Sequence, residues 1–398
     1  MIQHDKPLFT LEIEAGQGTG FVVIDSVVNN TSSGGVRIAE DLSRGEVRTL
    51  AREMTLKFSF MGLPRGGGKS GVQIPAGVAK EERLEILREY GKGLAPIIHT
   101  GIYYPGMDMN CGPEELRAIY AGAGITVGEV TDTSFFTAIS AANSILACAE
   151  AFPQNKPLTI AIEGFGSVGA YLAARLPQDR FRIVAISTIK GAVVNPAGFL
   201  SAELVDLRRQ FGDDLVTKVP DGRAVSMNEV LAAQVDILVP SARILSLNEQ
   251  TAELVQARYI VPVANAPYTD QAVTSLFAKG IACLPGFVVN AGGVYASSLH
   301  DSGLSVAAIE QISGTLFRKV VATLVTRSRE LKLPPVRLAE MVALRRLAAG
   351  ERMVLPSKIK KKAFQMGILP SSIYGKMFSG AFCDNLRTLE RQIAGFEC

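Results

Sequence analysis

Cysteine is scarce in this chain and has no pairing pattern. The five cysteines, Cys111, Cys148, Cys283, Cys383 and Cys398, are scattered, odd in number and never spaced as CxxC. That excludes a disulfide framework and a zinc site, and leaves the expectation of reduced thiols in a cytoplasmic, metal-free protein. An excess of one charge is missing too. With 41 Lys and Arg against 38 Asp and Glu, the net charge of +3 is too small to make nucleic acid the partner. No basic face interleaved with aromatics occurs either. No apolar run reaches membrane-spanning length, and the first thirty residues lack the apolar stretch of a signal peptide. There is no internal repeat and no low-complexity segment. What is present is 398 residues, 47% hydrophobic and 20% charged, a globular composition with room for two domains. A mean hydropathy of +0.22 suggests extensive burial, including a subunit interface.

The first ~130 residues mix short apolar strands with helices. Phe21–Val28 (FVVIDSVV) reads as one buried strand. Ser43 and Glu46 form a capping-box pattern, Ser43 accepting the Glu46 amide and Glu46 answering back. The helix it opens sets Val47, Leu50, Ala51, Met54, Phe58 and Met61 on one buried face. LPRGGGKSGVQIP follows and reads as a loop. From Leu158 the texture changes: LTIAI, RIVAIS, VDILVP (235–240) and YIVPVAN (259–265) read as strands alternating with helices, the mark of βαβ units and a parallel sheet. Helical spacing returns at Ala307–Leu331 and Arg337–Ala349. The tail lysines Lys358, Lys360, Lys361 and Lys362 read as a solvated basic helix end.

Gly164-x-Gly166-x-x-Gly169 stands between strand LTIAI and helix AYLAARL, the context that makes it a dinucleotide fingerprint. Gly164 permits the tight turn, Gly166 a close approach of backbone to pyrophosphate, and Gly169 the packing of helix on strand. The pyrophosphate is expected at the amide end of the helix beginning near Ser167 and Val168. The second strand runs into Thr188-Ile189-Lys190 with no carboxylate to bond a ribose 2′-hydroxyl. A hydroxyl and a cation there favour NADP over NAD, unless Lys190 is only a solvated turn residue. Gly66-Gly67-Gly68-Lys69-Ser70 is not a P-loop, since position 63 is Leu and Val72–Pro75 looks extended. Its glycines instead suggest backbone held close to a small substrate, with Lys69 pointing into a cleft. Lys57 shares the apolar helix face of Leu50, Met54 and Met61, where a lysine must snorkel or meet an anion. Asp108 precedes a helix announced by Gly112 and Pro113, and alone it reads as a helix-entry acid.

Together these residues resemble the glutamate/leucine/phenylalanine/valine dehydrogenase family. The matching stretches, in family order, are GGVR (34–37), MTLKFSFMGLPRGGGKSGV (54–72), PGMDMNCGPEE (105–115), IEGFGSVG (162–169), DILVPSA (236–242), VANAP (263–267) and PGFVVNAGGVYAS (285–297). The resemblance implies an α/β chain: an N-terminal substrate and oligomerisation domain over 1–132, a Rossmann dinucleotide-binding domain over 133–325, and C-terminal helices, 326–398, returning to the first. It implies that Lys57 binds the substrate α-carboxylate beside Gly34 and Gly35, that Lys69 is the catalytic lysine, and that Asp108 shuttles protons at the amino nitrogen. It also implies that Asn265 and Asn290 line the cofactor and substrate cleft. The activity implied is NAD(P)-dependent interconversion of an amino acid with its 2-oxo acid and ammonia by a homo-oligomer. Such chemistry wants a cation for the carboxylate and a lysine of depressed pKa, which desolvation and crowding by Lys57 would supply at Lys69.

Three departures bear on the substrate. Ser33 stands where glutamate-using members carry a lysine for the side-chain carboxylate, and Ser297, a second such contact, cannot neutralise charge. An apolar or aromatic amino acid is therefore expected, with glutamate the alternative. Phe135 and Phe136 replace a small turn near the expected nicotinamide, and Arg243 stands where an apolar residue is usual. Either change leaves open a non-catalytic, ligand-binding protein, against which the joint retention of Lys57, Lys69 and Asp108 argues.

Overall fold

A computed structural model describes residues 6–128, 133–152, 156–300, 305–352 and 371–397. The chain divides into two compact units, Met1–Asp132 with Ala343–Arg352, and Thr133–Val342 with Met353–Cys398.

The first unit holds a five-stranded sheet in the order β1-β2-β4-β3-β5. Its strands are β1 (Phe9–Ala15), β2 (Gly18–Ile24), β3 (Ser32–Ala39), β4 (Gly66–Gln73) and β5 (Tyr103–Met107). β1, β2 and β4 pair antiparallel, whereas β3 runs parallel to β4 and β5. Strand side chains alternate between faces. One face sends Ile24, Val36, Ile38, Val72 and Tyr103 into a core with Leu87, Tyr90 and Leu94 of α2 (Lys80–His99) and Ile119 of α3 (Pro113–Gly122). The other sends Phe21 and Val23 against Val47 and Ala51 of α1 (Arg44–Met61).

Two readings of this unit are corrected. FVVIDSVV is strand only to Ile24; beyond it Asp25 and Ser26 both donate to the Gly67 carbonyl and the chain turns away. The glycine run is not a loop but the central strand β4. Its glycines answer to packing: a Cβ on Gly67 would lie 2.1 Å from the Thr55 amide nitrogen of α1, and one on Gly66 2.1 Å from the Ser26 carbonyl oxygen. α1 itself follows its periodicity and ends at Gly62, whose left-handed φ of 66° favours glycine. Only half the capping box forms. Ser43 Oγ accepts the Glu46 amide at 3.1 Å, but the Glu46 carboxylate is drawn to Arg37 instead.

The second unit holds a seven-stranded sheet, β12-β11-β10-β6-β7-β8-β9. Its strands are β6 (Leu158–Glu163), β7 (Phe181–Thr188), β8 (Gly191–Phe199), β9 (Arg223–Val225), β10 (Ile237–Pro240), β11 (Tyr259–Ile260) and β12 (Ala282–Cys283). β12, β11, β10, β6 and β7 are parallel; β8 and β9 return antiparallel and were not foreseen. In YIVPVAN the strand proper is only Tyr259–Ile260, since Pro262 brings no amide, although the Val261 and Val263 amides still donate to the Leu238 and Pro240 carbonyls of β10. α4 (Ser134–Ala149) and α5 (Ser167–Ala173) belong to this unit, as does the long helix Val306–Leu331, capped by Ser305. The tail lysines 358–362 lie outside the described residues. Among the described residues, no helix is long and apolar enough to cross a membrane and no cluster of metal ligands occurs.

Candidate active site

In the first unit, period-two alternation puts Ser33, Gly35 and Arg37 of β3 on one face with Gly67 and Lys69 of β4 and Tyr104 and Gly106 of β5. Asp108 continues that face just beyond β5, held by a bridge to Cys111. α1 covers the same face and brings Lys57 to it. Lys69 Nζ lies 2.7 Å from Asp108 Oδ2, and Arg37 Nε reaches that same oxygen at 3.0 Å. Arg37 Nη1 is held in turn by Glu46 Oε1 at 2.6 Å. Gly34 and Gly35 are packing glycines: a Cβ would stand 1.8 Å from the Gly68 carbonyl oxygen in one case and 2.7 Å from Asp108 Cβ in the other.

The electrostatics follow from burial. Lys57 and Lys69 are 5% and 3% exposed. Burial brings Lys57 down to about 8, with the charge of Lys69 adding and Glu53 and Asp108 opposing. Lys69 is lowered by burial first, then by Arg37, against the pull of Asp108. Arg37 therefore crowds Lys69 in addition to Lys57, which repels it in turn. Burial would raise Asp108, but Lys69 and Arg37 outweigh it and hold the carboxyl well below the usual carboxylate range. Both cations take Oδ2. Arg37 and Glu46 join the site without having been expected there, Glu46 having been read only as a helix cap. The signal was the alternation of β3, which puts a charged residue on a face the strand buries.

In the second unit, Gly164 has φ 93°, and a Cβ there would stand 2.7 Å from Ala242. Its amide donates to Ser187 Oγ at 3.0 Å, which ties the turn to β7. Gly166 is the N-cap of α5 with no side-chain cap, so the first-turn amides, including those of Ser167 and Val168, have no capping side chain. Nothing lies within 4 Å of a Cβ built on Gly166, and Gly169 packs back on the Gly164 carbonyl at 3.4 Å. Open space in front of free helix amides is the cradle a pyrophosphate requires, so these residues fit a dinucleotide. Asn290 Nδ2 donates to Asn265 Oδ1 at 3.0 Å and to the Val263 carbonyl at 3.0 Å, while its own Oδ1 is buried with no partner. Thr188 is placed differently from its expected role. Its hydroxyl is spent inside the turn, donating to the Asp213 carbonyl at 2.7 Å and accepting the Lys190 amide at 3.1 Å. Lys190 itself is exposed. Phe135 and Phe136 begin α4, Phe135 stacking edge-on against Tyr171 of α5 with the Arg175 guanidinium 4.0 Å above its ring. Arg243 acts electrostatically on Glu163, whose carboxyl burial raises. Ser297 falls in the helix Gly292–His300, and its side chain lies outside the described residues.

Comparison with known proteins gives concordant results. The family described as Glu/Leu/Phe/Val dehydrogenase, dimerisation domain, matches residues 8–123, and Glutamate/Leucine/Phenylalanine/Valine dehydrogenase matches 128–352. A glutamate dehydrogenase of Thermotoga maritima is 31% identical over 303 residues, 70% of this chain and 71% of that protein. An NADP-specific glutamate dehydrogenase of Synechocystis is 31% identical over 318 residues, 72% and 74% of the two chains. In structure, a hetero-hexameric glutamate dehydrogenase from Thermus thermophilus (Leu bound form) superposes with TM-score 0.75 at 24% identity, over 86% of this chain and 89% of that one. An L-tryptophan dehydrogenase from Nostoc punctiforme gives TM-score 0.59 at 21% identity, over 86% and 95%. At such identities the structures speak for the fold alone.

Proposed function

The chain belongs to the glutamate/leucine/phenylalanine/valine dehydrogenase family of NAD(P)-dependent amino-acid dehydrogenases, and we propose that it oxidatively deaminates an L-amino acid with a large uncharged side chain, apolar or aromatic. Lys57 receives the α-carboxylate. Asp108 accepts and returns protons at the amino nitrogen. Lys69, made a weak base by burial, takes a proton from the water that attacks the imine carbon, so the products are 2-oxo acid and ammonia. The bound nicotinamide supplies the hydride acceptor, and the Gly164–Gly169 turn orients it. Three cations, Lys57, Lys69 and Arg37, face three carboxylates, Asp108, Glu46 and Glu53. The matched dimerisation domain supports a homo-oligomer.

The observation that carries the side-chain reading is the ground beside Asp108. A Cβ built on Gly106 meets nothing within 4 Å, so the sheet face is bare there. Two residues on, about 7 Å along the strand, Tyr104 presents a ring that is 45% exposed. Opposite it stands Ser33, uncharged, whose hydroxyl donates to the Tyr104 carbonyl at 3.0 Å. A bare floor ending in an aromatic ring gains ~25 cal/mol per Å² of apolar substrate it covers. One observation favours the second reading, glutamate: the Arg65 guanidinium lies 6.0 Å above the Tyr104 ring.

The test is kcat/KM in the deaminating direction for glutamate, leucine, valine, phenylalanine and tryptophan at one pH. An uncharged large side chain is expected to lead. Glutamate leading, and losing its lead in Arg65→Ala, would establish the second reading. Lys69→Ala and Asp108→Asn should each lower kcat by about 10²–10⁴-fold and leave cofactor binding intact.

A further inference from the structure

Asp108 has two cationic partners, and only one of them is assigned a part in the chemistry. Lys69 must change its charge as it takes and releases a proton. At the moment it becomes a neutral amine, Asp108 is a buried carboxylate whose nearest partner no longer attracts it. Left so, the carboxyl would swing away or take the proton itself, and the arrangement would collapse into an unreactive neutral pair. Arg37 stands where that failure would be prevented. Its guanidinium holds its charge through any pH at which the protein is folded. It grips the same oxygen, Oδ2, at 3.0 Å, and it is gripped from behind by Glu46 Oε1 at 2.6 Å. We propose that Arg37 is a positioning residue for proton transfer: clamped by Glu46, it keeps Asp108 ionised and aimed while Lys69 alternates between ammonium and amine. This rests on the dehydrogenase reading above.

Arginine is required for its shape as well as its charge. One rigid plane meets two carboxylates, Nε on Asp108 and Nη1 on Glu46, which a lysine cannot do. Glu46 gives up the reciprocal half of its capping box to serve this clamp, so the helix start is spent on the site. The same fixed charge weakens the hold of Lys69 on its proton, in the direction already described. Other ionisable groups facing the cluster are few. On α1 they are Glu46, Glu53 and Lys57. Beyond β5, Cys111 is raised to about 12 by burial and stays a thiol, and Tyr103 of β5, on the opposite face of the sheet, is raised well above its usual range. Glu115 of α3 is bonded to the Gly112 amide, and Arg83 of α2 pairs with it. The Lys57 ammonium is brought down to about 8, its proton affinity set by burial first, then by Glu53, Lys69 and Asp108.

The experiment compares wild type with Arg37→Gln, Arg37→Lys and Glu46→Gln in the full-length protein. Two readouts are taken against pH: kcat/KM for the best amino acid, and the rate at which cyanate carbamylates Lys69, followed by peptide mass spectrometry. In Arg37→Gln the rising limb and the Lys69 carbamylation midpoint should both move about one pH unit higher or more. At a pH on the limb that is about a tenfold loss of kcat/KM. Arg37→Lys should restore the midpoint but not kcat, because the charge returns without the fork. Glu46→Gln, with Arg37 in place but unclamped, should lower kcat with little movement of the midpoint. An unmoved midpoint in Arg37→Gln, or full wild-type kcat in Arg37→Lys, overturns the proposal; if Arg37→Gln does not fold, an unimpaired Glu46→Gln does the same. The cyanate arm needs no turnover. A wild type inactive on every amino acid would refute the dehydrogenase reading and still leave the effect of Arg37 on Lys69 measured.

Discussion

Lys57 sits on the apolar face of α1 at 5% exposure, where an ammonium is expensive to keep. Burial is the main reason its pKa falls from 10.5 to about 8. The unfolded chain therefore holds more protons than the folded one between about pH 8 and 10.5, and stability rises with pH through that window. The cost is fully present below pH 8, where it amounts to about 3 kcal/mol. Lys57→Met should accordingly raise the thermal midpoint by several degrees at pH 7 and by much less at pH 10, while KM for the amino acid climbs. Calorimetry at the two pH values with one substrate titration checks it; a midpoint lowered at both would show that the lysine stabilises the fold. Lys57, Lys69 and Asp108 were singled out as a group only through the family resemblance, since from its own neighbours Asp108 reads as a helix-entry acid. Arg37 was not, although it is plain in the sequence, because Glu46 and Asp108 are 9 and 71 residues from it.

At the scale of elements, glycine misleads when it is read by propensity alone. A GGGK run is poor strand material, so it reads as a loop, yet Gly66–Gln73 is the central strand β4. What overrides propensity is the approach of α1, 12 residues back at Thr55, and of the segment after β2, 40 residues back at Ser26. Gly67 and Gly106 then make a contrasting pair. Gly67→Ala forces a Cβ to within 2.1 Å of the Thr55 backbone, which cannot yield like a side-chain tip, so the first unit should lose stability severely or fail to fold. Gly106→Val meets nothing within 4 Å and adds a residue suited to a strand, so the thermal midpoint should hold. It does, however, fill the floor beside Asp108. kcat/KM for phenylalanine or tryptophan should drop at least tenfold more than for alanine, and an equal drop for all three would show that the side chain lies elsewhere.

Across the whole molecule, the alternation of strand and helix after Leu158 was enough to expect a parallel sheet. The antiparallel β8 and β9 escaped because a strand's direction depends on where the chain returns, which periodicity does not record. Each unit carries its own core, so a ligand held by the second unit stabilises whichever unfolding transition contains that unit. This makes melting a direct reading of cofactor preference without any substrate. Thr188 is spent within its turn and offers no direct contact, which narrows the case for NADP to two facts. β7 ends without a carboxylate of its own, and the nearby Asp213 carboxylate is already neutralised by Arg208. Lys190, exposed and without an ion pair among the described residues, is then the charge available to a ribose 2′-phosphate. At a concentration of ~100 Kd a ligand adds about 2.7 kcal/mol, so at equal concentration NADP should raise the midpoint measurably more than NAD. Lys190→Ala should shrink the NADP shift toward that of NAD and leave the NAD shift as it was, since the exposed side chain contributes little to folding. A larger shift with NAD, or an NADP shift indifferent to Lys190→Ala, would mean that the adenosine ribose is read by other residues.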